Sequence, residues 1–331
     1  MISTKDFVLS KLLNAEEFIS GEVLSSELNI SRAAVNTAVR TLKADGYDIT
    51  STTNKGYRLM NHPDILSPGE VRAKLPERDN VIVLPEVDST NKYLKELAYE
   101  GAADRTVVIS DCQTAGRGRL GRSFHSPSGT GIYLSYLMRP TVKPEFISTI
   151  TCWSAVAVAN AISSVCDITP SIKWVNDLLI NDMKICGILT EMNIEPEIGA
   201  ISSVVIGIGI NVNESRSEFP LELQSIASSI RHESKLKEPI HRASLAAALI
   251  EELDKMCSLF PSAHEEYLKS YRKLCSTVGL NVSVVNAHNH TSEIPRLGKA
   301  TGVGDDFSLQ VKFEDGHTEN LSSGEVSIIR R

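Results

Sequence analysis

The chain has 331 residues, of which 42% are hydrophobic and 23% charged, and its formal net charge is −7. This length predicts two or three domains, while the acidic balance excludes a general polyanion binder, so any nucleic-acid contact must come from a local patch. We find no apolar run near the roughly 20 residues that cross a bilayer, and the first six residues do not resemble a signal peptide. Six scattered cysteines without a CxxC pair indicate reduced thiols, so we predict a cytoplasmic protein without membrane contact.

Residues 1–62 show the pattern of three helices followed by a β-hairpin. Ser20 is placed to cap the second helix and Ser31 to cap the third. Two short strands around a polar turn come next. The apolar stripe of the third helix consists of Val35, Val39 and Leu42. This order predicts a winged helix-turn-helix domain.

The third helix carries basic and polar side chains off its buried stripe. Residues 1–62 hold seven Lys/Arg and seven Asp/Glu, but the helix from Ser31 to Lys43 contains no acid. A basic helix on a neutral unit fits a DNA reader, because cations bind phosphates and polar side chains reach bases. A solvated face of a protein-interaction module is the alternative. The candidate DNA-binding residues are Ser31, Arg32, Asn36, Thr37, Arg40, Lys43 and, in the wing, Lys55.

Three further segments follow this head. Residues 63–80 are predicted to be a linker with one short helix. Residues 81–275 alternate short β-branched runs with helical patterns and predict a mixed α/β domain, including one helix from Phe146 to Cys166. Residues 276–331 alternate apolar and polar positions around the turn Asp315-Gly316, which predicts a small SH3-like β-barrel.

The segment from Gln113 to Arg122, QTAGRGRLGR, combines three glycines with three arginines. The glycines match GxGxxG, the fingerprint of a dinucleotide fold. The residues that follow, through Pro127 and Gly129, cannot begin the helix that such a fold requires, which weakens an NAD-binding redox repressor as an interpretation. Glycines and arginines together can close a cationic backbone around an anion, and a solvated basic loop is the alternative.

Three other segments supply polar groups at strand ends. Ser89, Thr90 and Asn91 lie just before a helix, where they bind a polar ligand or act as plain N-caps. Lys184 begins an apolar strand after the segment KWVND, and a lone cation there needs an anionic partner. The segment GIGINVN, residues 207–213, ends another strand with small residues that let a ligand approach the backbone.

Taken in order, these motifs resemble the catalytic domain of the biotin protein ligases. The family markers are the GRGRxGR loop, the KWxND segment, the K-x-x-GIL-x-E strand from Lys184 to Glu191, and GIGIN. With the head and the C-terminal segment, the resemblance covers essentially the whole chain and extends to the biotin operon repressors. It implies an α+β multi-domain protein: a winged helix-turn-helix, a central mixed α/β ligase domain of class II synthetase-like fold, and an SH3-like barrel.

The resemblance implies an ATP-dependent, AMP-forming ligase. Biotin and ATP would give biotinyl-5′-AMP, with Mg²⁺ on the leaving pyrophosphate, and a lysine of a biotin carboxyl carrier protein would accept the biotinyl group. Arg119 and Lys184 are the catalytic candidates, since positive charge stabilises the pentavalent phosphorus; no protein metal ligands are predicted. The biotin-binding candidates are Ser89, Thr90, Asn91, Gln113, Gly116, Arg117, Gly118, Arg119, Lys184 and Gly187. The nucleotide-binding candidates are Phe124, Asn176, Gly209 and Asn211.

Regulation is also implied by the resemblance. The adenylate promotes a homodimer that places two recognition helices on palindromic operator DNA, and unmodified carrier reverses this by consuming the adenylate. The glycine–arginine loop is expected to be disordered when empty and to close on the adenylate. Two alternatives stay open. A lipoate-type ligase shares the catalytic fold but generally lacks the head and the loop, and a ligand-sensing repressor without catalysis has little use for Lys184 and the loop arginines.

The sequence departs from the family pattern at Phe124. Members commonly have a tryptophan at this position, two residues after the last arginine of the loop, where it packs over the adenine side of the ligand. Because phenylalanine still stacks, we expect a modest effect on adenylate retention rather than lost catalysis.

Overall fold

The computed structural model describes residues 3–61, 63–194, 201–285, 295–322 and 325–329. Positions 1, 62 and 331, at which predicted domain boundaries fall, lie outside these ranges. In chain order, the described residues form sheets of two, seven and five strands. Each sheet belongs to one of three successive units.

The N-terminal unit has three helices and an antiparallel hairpin. Its elements are α1 (Thr4–Leu13), α2 (Gly21–Glu27), α3 (Arg32–Ala44), β1 (Asp48–Thr52) and β2 (Gly56–Asn61). Ser20 and Ser31 cap α2 and α3 as predicted, each side chain accepting a backbone N–H from three residues further on. The predicted stripe of α3 is buried in the core of this unit. The layout of a helix, a helix-turn-helix and a wing hairpin is therefore present.

The central unit is built on a seven-stranded mixed sheet. Its strands are β3 (Val81–Leu84), β4 (Val107–Ser110), β5 (Gly131–Met138), β6 (Ser171–Lys173), β7 (Asp177–Ile180), β8 (Met183–Ile194) and β9 (Ile201–Asn211). They lie in the order β3-β4-β5-β9-β8-β7-β6. Only the β3–β4 pair is parallel among the described pairings, so the sheet differs from the mostly parallel sheet of a dinucleotide fold.

Helices cover both faces of this sheet. They are α4 (Pro68–Lys74), α5 (Thr90–Tyr99), α6 (Pro144–Ile147), α7 (Ile150–Cys166), α8 (Ile230–Glu233), α9 (Arg242–Leu259) and α10 (His264–Leu274). Side chains alternate along β4, so Val107 and Ile109 join the large core with α7 and α9, whereas Val108 packs against α5. The two-sided burial explains why these strands read as continuous apolar runs.

Two predictions about the Phe146–Cys166 region were wrong. The single helix is divided between α6 and α7, because the hydroxyls of Ser148 and Thr149 donate to the carbonyl oxygens of Glu145 and Phe146 and compete with helical hydrogen bonds. The prediction that no apolar run approaches membrane-spanning length was also wrong, because Glu145–Cys166 is long and apolar enough by composition, with a mean hydropathy of 1.5. In this structure 72% of the most apolar part of the stretch is buried inside the protein, so the stretch belongs to the core.

The C-terminal unit is a five-stranded antiparallel sheet. Its strands are β10 (Asn281–Val285), β11 (Arg296–Val303), β12 (Leu309–Phe313), β13 (Thr318–Leu321) and β14 (Glu325–Ile328), in the order β13-β12-β11-β10-β14. The alternating apolar residues of β12 are buried, and Gly316 has a positive φ of 88° at the predicted turn. The pairings among the described residues form an open sheet and do not join β13 to β14 into a closed barrel.

Contacts at two places join the outer units to the central one. Trp174, after β6, donates from Nε1 to the Phe307 carbonyl oxygen at 2.9 Å, and its backbone N–H donates to Thr277 Oγ1 at 2.9 Å. On the head side, α4 packs against both α1 and α9. Gly69 lies so close to α1 that a Cβ there would stand 2.9 Å from the Asp6 carbonyl oxygen. The segment predicted as a linker with one short helix contains such a helix, Pro68–Lys74, and this helix packs against both units.

Candidate functional site

A cavity of about 600 Å³ lies between the start of α5, the strands β8 and β9, and residues 117–125. Thirteen of the fourteen residues predicted to bind biotin or nucleotide line it. They are Ser89, Thr90, Asn91, Gln113, Arg117, Gly118, Arg119, Phe124, Asn176, Lys184, Gly187, Gly209 and Asn211. Gly116 is outside the lining, and its role is in the fold of the loop, since a Cβ there would stand 2.6 Å from the Phe124 carbonyl oxygen.

The first turn of α5 supplies the polar end of the cavity. Ser89 caps the helix, and Ser89, Thr90 and Asn91 are each at most 5% exposed. Gln113 Oε1 accepts from the backbone N–H of Thr90 at 2.9 Å and from its hydroxyl at 3.1 Å. The buried Ser135 Oγ of β5 lies 2.8 Å from Thr90 Oγ1 and 2.6 Å from Asn91 Oδ1. Thr90, Asn91, Gln113 and Ser135 form one network, and the sequence analysis had named each of them as a ligand-binding candidate except Ser135.

The glycine–arginine loop folds back on itself beside the cavity. The Gly118 N–H donates to the Arg122 carbonyl oxygen at 2.7 Å, and the Phe124 N–H donates to the Gly116 carbonyl oxygen at 2.9 Å. Between these contacts lies a single 3₁₀ turn, Arg119–Gly121. As predicted, no α-helix follows the GxGxxG pattern, so the loop does not place a helix N-terminus at the cavity.

All three loop arginines line the cavity, and one ties the loop to the sheet. Arg119 donates from Nη1 to Asn176 Oδ1 at 2.9 Å. Asn176 in turn donates from Nδ2 to the Ile188 carbonyl oxygen of β8 at 3.0 Å. Arg117, Arg119 and Arg122 therefore give this side of the cavity a positive charge that suits an anionic ligand.

Lys184 has the anionic partner that its place at the head of β8 requires. Its Nζ lies 2.7 Å from Asp177 Oδ1, and the two side chains are 33% and 19% exposed. The pairing of β7 with β8 shifts register between Leu178 and Leu179, and such bulges re-aim side chains. The ammonium lies over Gly187, where a Cβ would stand 3.2 Å from Nζ. A cation is thus held at the cavity wall.

Glycines form the cavity floor between β8 and β9. Gly187 and Gly209 are register partners, and the Phe124 ring lies on both, because a Cβ would stand 2.5 Å from the ring at Gly209 and 3.4 Å at Gly187. At Gly207 a Cβ would stand 2.2 Å from Asn91 Oδ1. Each glycine leaves room for a cavity-lining side chain, which explains the GIG sequence in physical terms.

Sequence reasoning missed the apolar wall of the cavity and the part contributed by the C-terminal unit. The wall residues carry no periodic pattern, and β14 is far from the other motifs in the chain. The missed apolar residues are Leu179, Phe219, Leu223, Ile226, Ala227, Val326 and Ile328. The missed polar and charged residues include Arg122, His125, Lys173, Asp177, Asp182 and Ser327.

A buried carboxyl lies just beyond the end of β9. Glu214 is 1% exposed, and its carbonyl oxygen accepts from Ser229 Oγ at 2.6 Å. Burial raises the pKa of Glu214 to about 7, although the Thr130 hydroxyl and the Arg242 charge act in the opposite direction. The group therefore titrates near neutral pH, and the sequence analysis did not identify it.

The candidate DNA-binding residues are exposed on α3 and on the turn of the wing. They are Ser31, Arg32, Asn36, Thr37, Arg40, Lys43 and Lys55. Arg32 Nη2 lies 2.7 Å from Glu22 Oε2, and Lys43 Nζ donates to Ser51 Oγ of the wing at 3.2 Å. Ser31 uses its hydroxyl to cap α3. The other side chains of the set are presented to solvent.

Comparison with known proteins gives matches across the chain. The Biotin/lipoate A/B protein ligase family matches residues 83–211, and an HTH domain matches residues 5–58. The bifunctional ligase/repressor BirA of Bacillus subtilis (strain 168) is 36% identical over 307 residues, which are 91% of each chain. That of Escherichia coli (strain K12) is 31% identical over 327 residues, 98% of each chain. This chain belongs to the bifunctional ligase/repressor family.

The fold of this ligase/repressor is also shared by solved structures. The biotin protein ligase from Aquifex aeolicus, solved in complex with biotin and ATP, superposes with a TM-score of 0.64 at 27% identity. The match covers 77% of the present chain and all of that one. The family predicted from the four motifs and the head is therefore confirmed.

Proposed function

We propose that this ligase/repressor joins biotin to ATP, passes the biotinyl group to a lysine of a biotin carboxyl carrier protein, and represses transcription in response to biotin. The observation that carries the proposal is a single cavity that brings together the polar start of α5, the glycine floor, Lys184 and the loop arginines. Relatives named as ligase/repressors cover nearly the whole chain. A ligase solved with biotin and ATP supports the same substrates.

The first half-reaction meets an electrostatic barrier that the cavity lowers. A carboxylate oxygen of biotin attacks the α-phosphorus of ATP, and the bond to pyrophosphate breaks. Both reactants are anionic, so cations fixed in advance stabilise the pentavalent centre. We assign this role to Arg119 and Lys184 as the catalytic residues, with Arg117 holding the biotin carboxylate and the phosphate through the loop. The phosphate replaces Asp177 as the partner of Lys184.

The remaining candidates divide the cavity into two subsites. Those at the start of α5 and along the loop bind biotin, and those around the Phe124 ring bind the nucleotide. The biotin subsite consists of Ser89, Thr90, Asn91, Gln113, Arg117, Gly118, Arg119, Lys184 and Gly187, and Gly116 shapes the loop from outside the lining. The nucleotide subsite consists of Phe124, Asn176, Gly209 and Asn211. In the second half-reaction the lysine amine attacks the acyl carbon and AMP leaves, while the closed loop keeps water from the adenylate.

Mg²⁺ suits this cavity as an ion bound through phosphate. Among the described residues, no group of three His, Cys, Asp or Glu side chains could hold a metal by itself. Two carboxylates, Asp177 and Asp182, do line the cavity. Mg²⁺ commonly binds one or two carboxylates together with substrate phosphates, so these aspartates would hold it with the nucleotide, where it would neutralise the leaving pyrophosphate.

The architecture supports a regulated protein of four parts. We assign residues 1–62 to a winged helix-turn-helix domain, 63–80 to the connection, 81–275 to a class II synthetase-like catalytic domain, and 276–331 to an SH3-like barrel. The adenylate-bound form is a cytoplasmic homodimer that binds operator DNA through the exposed residues of α3 and the wing.

Isothermal titration with biotin, then with biotin and MgATP, tests the enzymatic function, followed by mass spectrometry of the bound ligand. Sub-micromolar binding and recovered biotinyl-5′-AMP are the expected result. Heat with lipoate but not with biotin would select the lipoate-type ligase. Biotin binding without recovered biotinyl-5′-AMP would select the sensor without catalysis.

A further inference from the structure

We propose that Glu191 and Ser135 are positioning residues that fix the direction of the hydrogen bonds behind the polar end of the cavity. The cavity then presents hydrogen-bond acceptors to the ring N–H groups of its ligand. This inference rests on the proposed function, because it concerns the ureido ring of biotin. Neither residue is among those that line the cavity, so both act through Thr90 and Asn91.

The orientation of the Asn91 amide follows from the chemistry of its neighbours. Asn91 Nδ2 lies 2.8 Å from Glu191 Oε2 and 3.3 Å from the Leu189 carbonyl oxygen. Carboxylate and carbonyl oxygens can only accept, so the amide nitrogen must face them and the amide oxygen must face the other way. Lys95 holds the second carboxylate oxygen of Glu191 at 3.2 Å. Glu191 therefore sets the orientation of the amide.

Ser135 carries this orientation across to Thr90. Asn91 Oδ1, 2.6 Å from Ser135 Oγ, can only accept, so the single hydroxyl proton of Ser135 goes to it. The 2.8 Å contact with Thr90 Oγ1 then leaves Thr90 as the donor, either to Ser135 or to Gln113 Oε1 at 3.1 Å. Ser135 is fully buried, which excludes water as a substitute partner. Thr90 Oγ1 and Asn91 Oδ1 are left with only lone pairs to offer a ligand.

The fixed direction of donors and acceptors continues to the residues that follow the glycine–arginine loop. Gln113 uses Oε1 to accept from Thr90, so its Nε2 donates to Ser126 Oγ at 3.1 Å. Ser126 donates in turn to the Phe124 carbonyl oxygen at 3.0 Å. A continuous chain of hydrogen bonds thus runs from Glu191 on β8 to the end of the loop.

A fixed set of acceptors selects the ring that the cavity binds. The cyclic urea of biotin has two N–H donors, whereas the dithiolane of lipoate has none. A site that leaves buried acceptors unpaired rejects the poorer ligand strongly. Selectivity for a ring with N–H groups therefore depends on Glu191 and Ser135 as well as on the side chains that touch the ligand.

Three substitutions at two positions separate this role from a general structural one. In Glu191→Leu the Asn91 amide can turn over, and we expect biotin to bind about 10- to 100-fold more weakly, as on loss of a hydrogen bond to a charged group. Glu191→Gln keeps an accepting oxygen and should restore affinity to within about threefold of the wild type. Glu252→Leu removes an ion-paired carboxylate on α9, outside the lining of the cavity, and it serves as the control with unchanged affinity.

The measurement is calorimetric titration of the full chain with biotin and with biotin methylated on a ring nitrogen. The wild type should discriminate between them strongly, and Glu191→Leu should lose most of that discrimination while kcat at saturating biotin and the KM for ATP stay within about twofold. Ser135→Ala should reproduce the loss of discrimination, and it decides the matter if Glu191→Leu does not fold.

The outcomes also distinguish a failure of the proposed function from a failure of the positioning role. A wild type that releases no pyrophosphate with biotin and MgATP would refute the proposed function. A working wild type with biotin affinity unchanged in Glu191→Leu would overturn the positioning role alone. An equal weakening for both ligands in that variant, with discrimination retained, would overturn it as well.

Discussion

Arg242 and Asp64 form a buried ion pair at the point where the head joins the central unit, with Nε 2.8 Å from Oδ2. The backbone N–H of Arg242 donates to the other carboxylate oxygen of Asp64 at 2.8 Å. The same guanidinium donates to Asp111 Oδ1 at 2.5 Å and to the Gly131 carbonyl oxygen at 3.1 Å. The Arg242 guanidinium therefore connects the junction with the head to Asp111 and Gly131, which lie at the two ends of the segment that contains the glycine–arginine loop.

Arg242→Met should destabilise the protein by about 3–5 kcal/mol, because it leaves two carboxylates in a buried place without their cation. Equilibrium unfolding in urea measures the difference. Arg32→Met is the matched control: it breaks an ion pair with Glu22 in which the two side chains are 66% and 75% exposed, and it should cost less than about 1 kcal/mol. Equal losses in the two variants would contradict the assignment of Arg242 as the structural cation.

Lys184→Met should reduce the rate of biotin-dependent pyrophosphate release by about 10²–10³-fold, since preorganised charge at the transition state has effects of that size. Biotin affinity should change by less than about tenfold, because the lost interaction develops mainly in the transition state. Pre-steady-state release of labelled pyrophosphate is the measurement. Lys269→Met, on the exposed face of α10, is the control. A variant with full kcat would remove Lys184 from the catalytic role.

Phe124→Trp should slow the dissociation of biotinyl-5′-AMP by about two- to tenfold, because a larger aromatic surface stacks more strongly. The ring already lies on Gly187 and Gly209, so the indole extends over a floor without side chains. Stopped-flow chase with excess unlabelled adenylate gives the rate. An unchanged rate would show that this position does not control retention of the adenylate.

Glu214→Gln should flatten the pH dependence of stability. The pKa of Glu214 is raised by burial from 4.5 to about 7, so the folded state binds the proton more tightly than the unfolded state. The contribution of Glu214 to wild-type stability is therefore largest below about pH 4.5, and it is lost as the pH rises through about 7. The glutamine amide stays neutral, so the free energy of unfolding of Glu214→Gln should rise relative to that of the wild type by about 2–4 kcal/mol between pH 5 and 8.

Urea unfolding at several pH values checks this expectation. Glu70, whose pKa burial also raises to about 7, remains in the variant and leaves part of the slope. The exposed Glu265→Gln is the control and should leave the profile as it is. Parallel profiles for the wild type and Glu214→Gln would mean that Glu214 is ionised in the fold at all these pH values.

Arg40→Ala should weaken DNA binding and reduce the salt dependence of affinity by about one unit of slope, as expected for loss of one phosphate contact. Arg40 is exposed on α3, away from the ligand cavity, so biotinyl transfer should be unaffected. Fluorescence anisotropy with an operator duplex selected in vitro, in the presence of adenylate and at several salt concentrations, gives both quantities. An unchanged slope would place the DNA elsewhere on the head.

Most of the polar site could be predicted because its residues stand in short motifs at strand ends. The strand pattern indicated where Lys184 begins β8, but its partner Asp177 becomes its neighbour only when β7 pairs with β8. Ser135 could not be identified either. A serine inside an apolar strand cannot be distinguished by pattern from other small buried residues, and its role depends on the contact with Asn91 of α5.

Long-range packing accounts for the rest of what the sequence did not predict. The apolar wall depends on how residues 219–227 return to the sheet. The strand β14 reaches the cavity because long-range contacts, among them Trp174 with Phe307 and Arg272 with Val303, fix the C-terminal sheet. The three-residue strand β6 is too short for a periodic pattern. The break between α6 and α7 depends on hydroxyl contacts that hydropathy does not reveal.

The wall that β14 contributes has a consequence for how the protein is made. Residues from Ser89 to Ile328 line one cavity, so a chain still emerging from the ribosome has no complete pocket until β14 is released. The head, with its own core, can fold while the remainder is being translated. Synthesis therefore yields the helix-turn-helix unit first, and the complete cavity forms only once β14 has emerged.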